Sequence, residues 1–256
     1  ILGSGPITKG LDQEGFTTLK NTLNEAISHR FGGAFVYVSN DGKSGLFGAS
    51  VNTGMKDTIG FGMGTALAFG HIDQDGNLNE RILSEGGSVT IDMNPNGWLH
   101  TWTGVPGVLQ RYLSQWAVVL QAEALKIAEV EAADRQDKAK VVGEMLVAGD
   151  ERAKTIFENI GRYVATAIDE LSYFGMKNVV LFGGVVSGRS AEVIRDTAQR
   201  ILEEEYPEHK VNIVITPEPQ YGGTIGAAQL ANAAYRERSE GGAKLSEKSS
   251  QQAQAP

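Results

Sequence analysis

Asn40 and Asp41 are the residues whose types and placement best suit chemistry. They close an apolar run, Phe35-Val36-Tyr37-Val38-Ser39, and are followed by Gly42-Lys43. A carboxylate at the carboxyl end of a buried strand, beside a side-chain amide, suits work on a hydroxyl group. The strand holds the backbone, the amide orients the substrate, and the carboxylate accepts a proton. Asn-Asp-Gly is also ordinary turn chemistry, and on this segment alone both readings stand. Two glycine-rich segments extend the set. Ile59-Gly60-Phe61-Gly62-Met63-Gly64-Thr65-Ala66 reads as strand, turn and strand. Its glycines let backbone N–H groups approach an anion because no Cβ intervenes. It lacks the Gly-Lys-Ser/Thr of a Walker loop, and a tight β-turn is the plain alternative. Val179 to Phe182 form an apolar strand that delivers Gly183-Gly184 at its carboxyl end. Ligands of open α/β sheets bind at such ends, although close helix–strand packing uses the same glycines.

Regular elements must position these residues. The spacing of Leu19, Leu23, Ala26 and Ile27 predicts a helix over 16–30, and an apolar strand over 34–38 follows. A helix from about Gly42 is expected to end at Thr53-Gly54, with glycine as its C-cap. Short strands at Thr58–Gly62, Thr65–Gly70 and Val89–Met93 predict β-hairpins. From residue 105 the pattern turns helical, with one apolar stripe from Leu109 to Ile127 and a second from Ile156 to Leu171. Asp150 is the expected N-cap of the second. Strands at 178–182 and 211–215, alternating with helices at 190–205 and 222–235, predict parallel pairing. The Ser-, Gln- and Ala-rich tail from 239 is expected to be disordered.

The chain has 256 residues, 41% of them hydrophobic and 21% charged, which allows one large or two small domains with ample core. Its net charge of −8 gives no reason to expect nucleic-acid or membrane binding. There is no cysteine, which excludes disulfides and thiolate-bound metal and makes a cytoplasmic setting the natural expectation. The 32 glycines cluster in the first 110 residues and around the two later turns.

Taken in order, these segments resemble the ROK family of sugar kinases and sugar-responsive repressors, of the actin-like ATPase superfamily. Val38 to Gly48 looks like the family's strand–Asn-Asp–helix segment, and Ile59 to Gly70 like its second phosphate hairpin. Leu83-Ser84-Glu85-Gly86-Gly87-Ser88 is similar to its sugar-binding Gly-Glu-x-Gly-His segment. Ala148 to Ala153, Val179 to Ser187, and Tyr221 to Ala228 follow at the family's spacings. The resemblance implies a ribonuclease H-like α/β fold. Residues 40–238 would be the carboxyl-terminal lobe and 1–39 a remnant of the amino-terminal lobe. It implies a glucokinase-like, ATP-dependent hexose kinase using Mg²⁺. Asp41 would be the general base, with Asn40, Glu85 and Gln110 on the sugar. Gly62, Gly64 and Thr65 would face the nucleotide phosphates, and Gly183-Gly184 the adenosine side. A small-molecule sugar is the implied partner, and apolar helix stripes suggest a homo-oligomer such as a dimer.

Several departures keep other readings open. The family's sugar-segment histidine is Ser88, its glutamate after the zinc segment is Gln110, and Met63 replaces a small hydroxyl residue. The cysteine-rich zinc segment aligns with Thr101 to Gln110, where no sulfur ligand remains. His100 stands alone there, so no structural zinc is expected. The family's opening Asp-x-Gly-Gly-Thr hairpin has no match, from which a truncated chain is expected. A non-catalytic sugar-binding module of a ROK-type repressor or a pseudokinase is the second reading. An assembly protein of the actin-like superfamily without a sugar site is the third.

Overall fold

Four strands form one sheet in the order β2-β1-β3-β4: β1 is Thr58–Met63, β2 Leu67–Ile72, β3 Asn178–Phe182 and β4 Asn212–Ile215. This computed structural model describes residues 13–79, 86–101, 103–172, 177–217 and 219–252. β1 and β2 pair antiparallel as a hairpin, whereas β1–β3 and β3–β4 pair in parallel. The expected hairpin and the expected strand–helix–strand unit are therefore two halves of one sheet. They meet where Thr58 pairs with Asn178 and Gly62 with Phe182.

The helices are α1 Gln13–Arg30, α2 Asp41–Thr53, α3 Gln115–Ala124, α4 Ala128–Glu131, α5 Lys138–Val147, α6 Glu151–Ser172, α7 Arg189–Glu205 and α8 Gly222–Gln252. Alternation along β1 separates the two faces of the sheet. Ile59, Phe61 and Met63 enter the larger core with Ile156 and Ile160 of α6 and Ile194 of α7. The intervening Gly60 and Gly62 lie under α2. A Cβ on Gly60 would stand 2.4 Å from Leu46 Cδ1, and one on Gly62 2.6 Å from Phe182 Cε2. The missing side chains let α2 settle onto the strand backbone.

Local chemistry sets several boundaries. Asn40 caps α2, its side chain accepting from the Lys43 N–H, and Gly54 closes the helix in the left-handed conformation at φ 69°. Asp150 Oδ1 accepts from the Arg152 and Ala153 N–H groups at 2.8 and 3.3 Å, as an N-cap should. The Arg152 guanidinium, bonded to the same carboxylate, holds Asp150 down at about 2.

Four expectations differ from the structure. Residues 34–38 are irregular, because a strand needs a ladder neighbour and none pairs with them among the described residues. Val89–Met93 is no strand either, and a single bridge, Thr90 to Val108, ties it in. The stripe from Leu109 to Ile127 is broken: a 3₁₀ turn spans Leu109–Arg111, Ser114 is extended, and only then does α3 begin. The break lets the Gln115 N–H donate to Gly64 O at 2.9 Å, a tertiary contact that periodicity cannot reveal. Finally, α8 continues to Gln252, through residues expected to be a disordered tail. Their Ala, Glu, Lys and Gln content favours a helix.

Candidate functional site

The first pole of the site gathers at the start of β2. Asn40 is spent partly on structure, its Oδ1 accepting from the Lys43 N–H at 3.0 Å, while its side-chain NH₂ keeps two donors. Asp41 is exposed in the first turn of α2, with Oδ1 accepting from the Gly42 N–H at 2.9 Å. Gly42 is buried, and a Cβ there would lie 3.0 Å from Ala68 Cβ and 3.2 Å from Phe69 N. The end of α2 carrying Asp41 thus rests directly on β2. Gly86 and Gly87 reach the same strand: a Cβ on Gly86 would meet the Phe69 ring at 2.5 Å. One on Gly87 would lie 3.3 Å from Leu67 O and 3.4 Å from Gln110 Cβ. Gly42, next to Asp41, thus lies against Ala68 on the α2 face of β2, whereas Gly87 and Gln110 lie against Leu67, which enters the larger core. Glu85 lies outside the described residues, as does the rest of its segment before Gly86.

The second pole joins the two glycine turns. Gly183 has φ 101°, and a Cβ there would stand 2.7 Å from Met63 O, so a side chain is excluded twice over. Gly184 is exposed. Gly62 is buried in helix–sheet contact, and the Gly64 N–H is already shared between Gly62 O and Ala66 O. Thr65 is the exposed group at the tip of the turn. Met63 is not a group facing a ligand; it is fully buried in the core. Gln115 bridges the turns: its N–H bonds Gly64, its Oε1 accepts from Thr65 Oγ1 at 3.4 Å, and its Nε2 is 3.8 Å from where a Gly184 Cβ would be. Sequence reasoning missed Gln115, for which the only local signal was its place at the start of an apolar helix.

A cavity of about 540 Å³ opens beside Gly184 and is lined by Ser187, Arg189, Lys140 and Glu144 among others. It shares Gln115, Gln136 and Ala139 with a second cavity, of about 950 Å³, into which Thr65 and Trp116 face. The two adjoin in one cleft, mostly apolar with several polar groups, running from the β3 turn to the β1–β2 turn. Its size and its convergent polar groups suit a ligand as long as a nucleotide.

The segment that aligns with the zinc site is held by rings and hydrogen bonds. Tyr112 Oη donates to Asp92 Oδ2 at 2.6 Å and accepts from the Trp98 N–H at 3.2 Å. Its ring stacks on Trp98 at 4.9 Å and meets Tyr163 edge-on at 4.7 Å. His100 is buried, and its Nδ1 accepts from the Thr103 N–H at 3.3 Å, so in the neutral ring the proton sits on Nε2. No group of three or more metal-ligating side chains occurs among the described residues. Treatment with EDTA is expected to leave the thermal midpoint within about 1 °C of its starting value; a fall of many degrees would reveal a bound structural metal.

Burial, assisted by Asp92, pushes the Tyr112 hydroxyl up to about 12. The neutral form is the one the fold favours, so this contribution is complete below the unfolded value of about 10. It is lost as pH rises towards 12, at a cost of about 2 to 3 kcal/mol. The urea midpoint should fall between about pH 9 and about pH 11.5, and Tyr112→Phe should remove most of that slope. An equal slope in the variant would assign it to other groups.

The model of the ROK family matches residues 16–234. A ROK family glucokinase from Streptomyces griseus, solved with glucose and AMPPNP, has a similar structure at TM-score 0.66 and 22% identity, over 82% of this chain and 72% of that one. ROK hexokinase from Thermus thermophilus gives TM-score 0.62 at 19% identity, over 86% and 70%. A ROK family transcriptional regulator, homologous to the E. coli MLC protein, gives 0.63 at 20%, over 83% and 55%. No curated protein matches.

Proposed function

Because this chain belongs to the ROK family, we propose that it takes part in ATP-dependent phosphorylation of a hexose, with Asp41 as general base. The observation that carries this reading is the two-pole site. The end of α2 that carries Asn40 and Asp41 rests on β2, Gln110 lies beside Leu67 of the same strand, and the hairpin that contains β2 leads to the Thr65–Gly184 cleft.

In this reading the Asp41 carboxylate accepts the proton of the sugar hydroxyl that attacks. The Asn40 amide donates to a neighbouring hydroxyl while its Oδ1 stays on the Lys43 N–H, so the cap fixes the amide's direction. Gln110 supplies a further donor and acceptor, and Glu85 would take another hydroxyl. The adenosine part lies over Gly183-Gly184, with the phosphates towards Thr65 and Gly64 and beside Gly62. Bound MgATP would supply the transferable phosphoryl group. The described residues offer no carboxylate cluster for Mg²⁺, which suits an ion brought in on the phosphates. Such transfer depends on positioning and charge stabilisation, which a rigid hairpin and two fixed turns provide.

The deciding experiment incubates the native protein with hexoses and γ-labelled ATP, alongside calorimetric titration of each sugar. Sugar phosphate formation supports the kinase reading. Sugar binding with no transfer supports the second reading, a sugar-sensing module, which Ser88 and the altered segment from Thr101 to Gln110 favour. Binding of neither sugar nor nucleotide would sink both.

A further inference from the structure

Arg111 is a buried cation with no counter-charge among the described residues. Only 8% of its surface is exposed, and its Nε is enclosed with no hydrogen-bond partner. Burial holds its guanidinium below the ordinary arginine value. No carboxylate pairs with it among the described residues; its guanidinium carbon lies 5.1 Å from the centre of the Trp116 ring. A second guanidinium, from the exposed Arg135, stands over the same ring at 5.3 Å. An indole face attracts a cation but does not replace the hydrogen bonds water would give it. Two like charges on one ring add repulsion. Such an arrangement calls for an anion.

Its place in the fold says which anion. The 3₁₀ turn Leu109–Arg111 sets Gln110 against Gly87 and Arg111 against Trp116, whose ring lines the cleft. Trp116 and Arg135 line the wide part of the cleft together with Thr65 and Lys138. Of the two carboxylates in that wall, Glu123 is neutralised by Lys138 at 2.6 Å and Asp134 is matched in charge by Arg135, so the wall's own charges cancel. The buried Arg111 against Trp116 is the charge that tips the balance positive.

We propose that Arg111 and Arg135, held on the indole of Trp116, form an anion subsite at the Thr65 end of the cleft that binds a phosphoryl group. The proposal deepens the kinase reading and rests on it for the source of that group, a nucleoside triphosphate or a sugar phosphate. Arg111 is a charge-bearing binding residue here, and Arg135 completes the clamp.

The test follows the quenching of tryptophan fluorescence and calorimetric binding, with inorganic tripolyphosphate, a hexose 6-phosphate and adenosine as separate probes. Native protein should bind at least one of the two anions, and the stronger of them identifies the source. Arg111→Met should weaken that binding roughly tenfold to a hundredfold, as loss of a charge-assisted contact does, while adenosine binding stays unchanged. Arg111→Lys should restore part of it. The Met variant should keep its cooperative transition, with a midpoint no lower than native, because it removes an unpaired buried charge at similar volume. Anion binding by Arg111→Met within about twofold of native, or none by the native protein, overturns the proposal. Should Arg111→Met fail to fold, Arg135→Met at the surface decides: a severalfold loss supports the subsite and no loss overturns it. Arginine-dependent anion binding without adenosine binding would uphold the subsite and sink the nucleotide reading instead.

Discussion

Asp41→Asn is expected to lower sugar phosphorylation by the native protein roughly 10²- to 10⁴-fold, the usual worth of a positioned base. Sugar affinity should stay within about threefold. The substitution keeps the shape of the side chain and an oxygen able to accept from the Gly42 N–H, now at 2.9 Å. It leaves the Asn40 cap intact, since that bond runs from Lys43 to Asn40. The negative charge in the first turn of α2 is lost, which costs about 0.3 to 1 kcal/mol through the helix dipole. A fall in kcat with unchanged Kd and a nearly unchanged melting point therefore reports lost chemistry and not lost structure. Undiminished turnover would remove Asp41 from the role of base. A parallel fall in sugar affinity would make it chiefly a binding group.

Gly226→Ala should be the most damaging small substitution in the described chain. Helices α2 and α8 cross so closely that a Cβ on Gly226 would fall 1.6 Å from Ser44 O and 2.8 Å from Gly48 N. From the other side, a Cβ on Gly48 would stand 2.6 Å from Gly222 O and 2.8 Å from Gly226 N. These are backbone atoms, which cannot swing aside as a side-chain tip would, so the helices must separate. Overpacking of this kind costs about 3 kcal/mol or more. Separation also moves the end of α2 that carries Asn40 and Asp41, so sugar binding should fall with stability. Gly223→Ala is the internal control, because nothing lies within 4 Å of a Cβ there. It should be neutral or stabilise by up to about 1 kcal/mol, the ordinary glycine-to-alanine gain in a helix. Equal denaturant midpoints for the two variants would show that the crossing is looser than this packing indicates.

Much of this protein was legible because its signals are local. The stripe from Ile156 to Leu171 lies in α6, and Asp150 caps that helix through bonds to Arg152 and Ala153. The C-cap of α2, the β1–β2 hairpin and the strands β3 and β4 needed only neighbouring residues, and the order of motifs pointed to the ROK family that the family comparison establishes. The tertiary structure decided the rest, because the causes lie far apart in the chain. That Leu46 and Phe182 occupy the space where side chains on Gly60 and Gly62 would stand is set by packing between distant segments. The apolar run 35–38 has the composition of a strand, but a strand exists only when a ladder partner is present. Nor does any periodicity place Gln115 between Thr65 and Gly184, or Arg111 and Arg135 over one indole. Composition and spacing report what each segment can form with its own neighbours. Which turns meet, and which cation is buried against an indole, depends on the packing of α2, α3 and α8 around the β1–β3 pair.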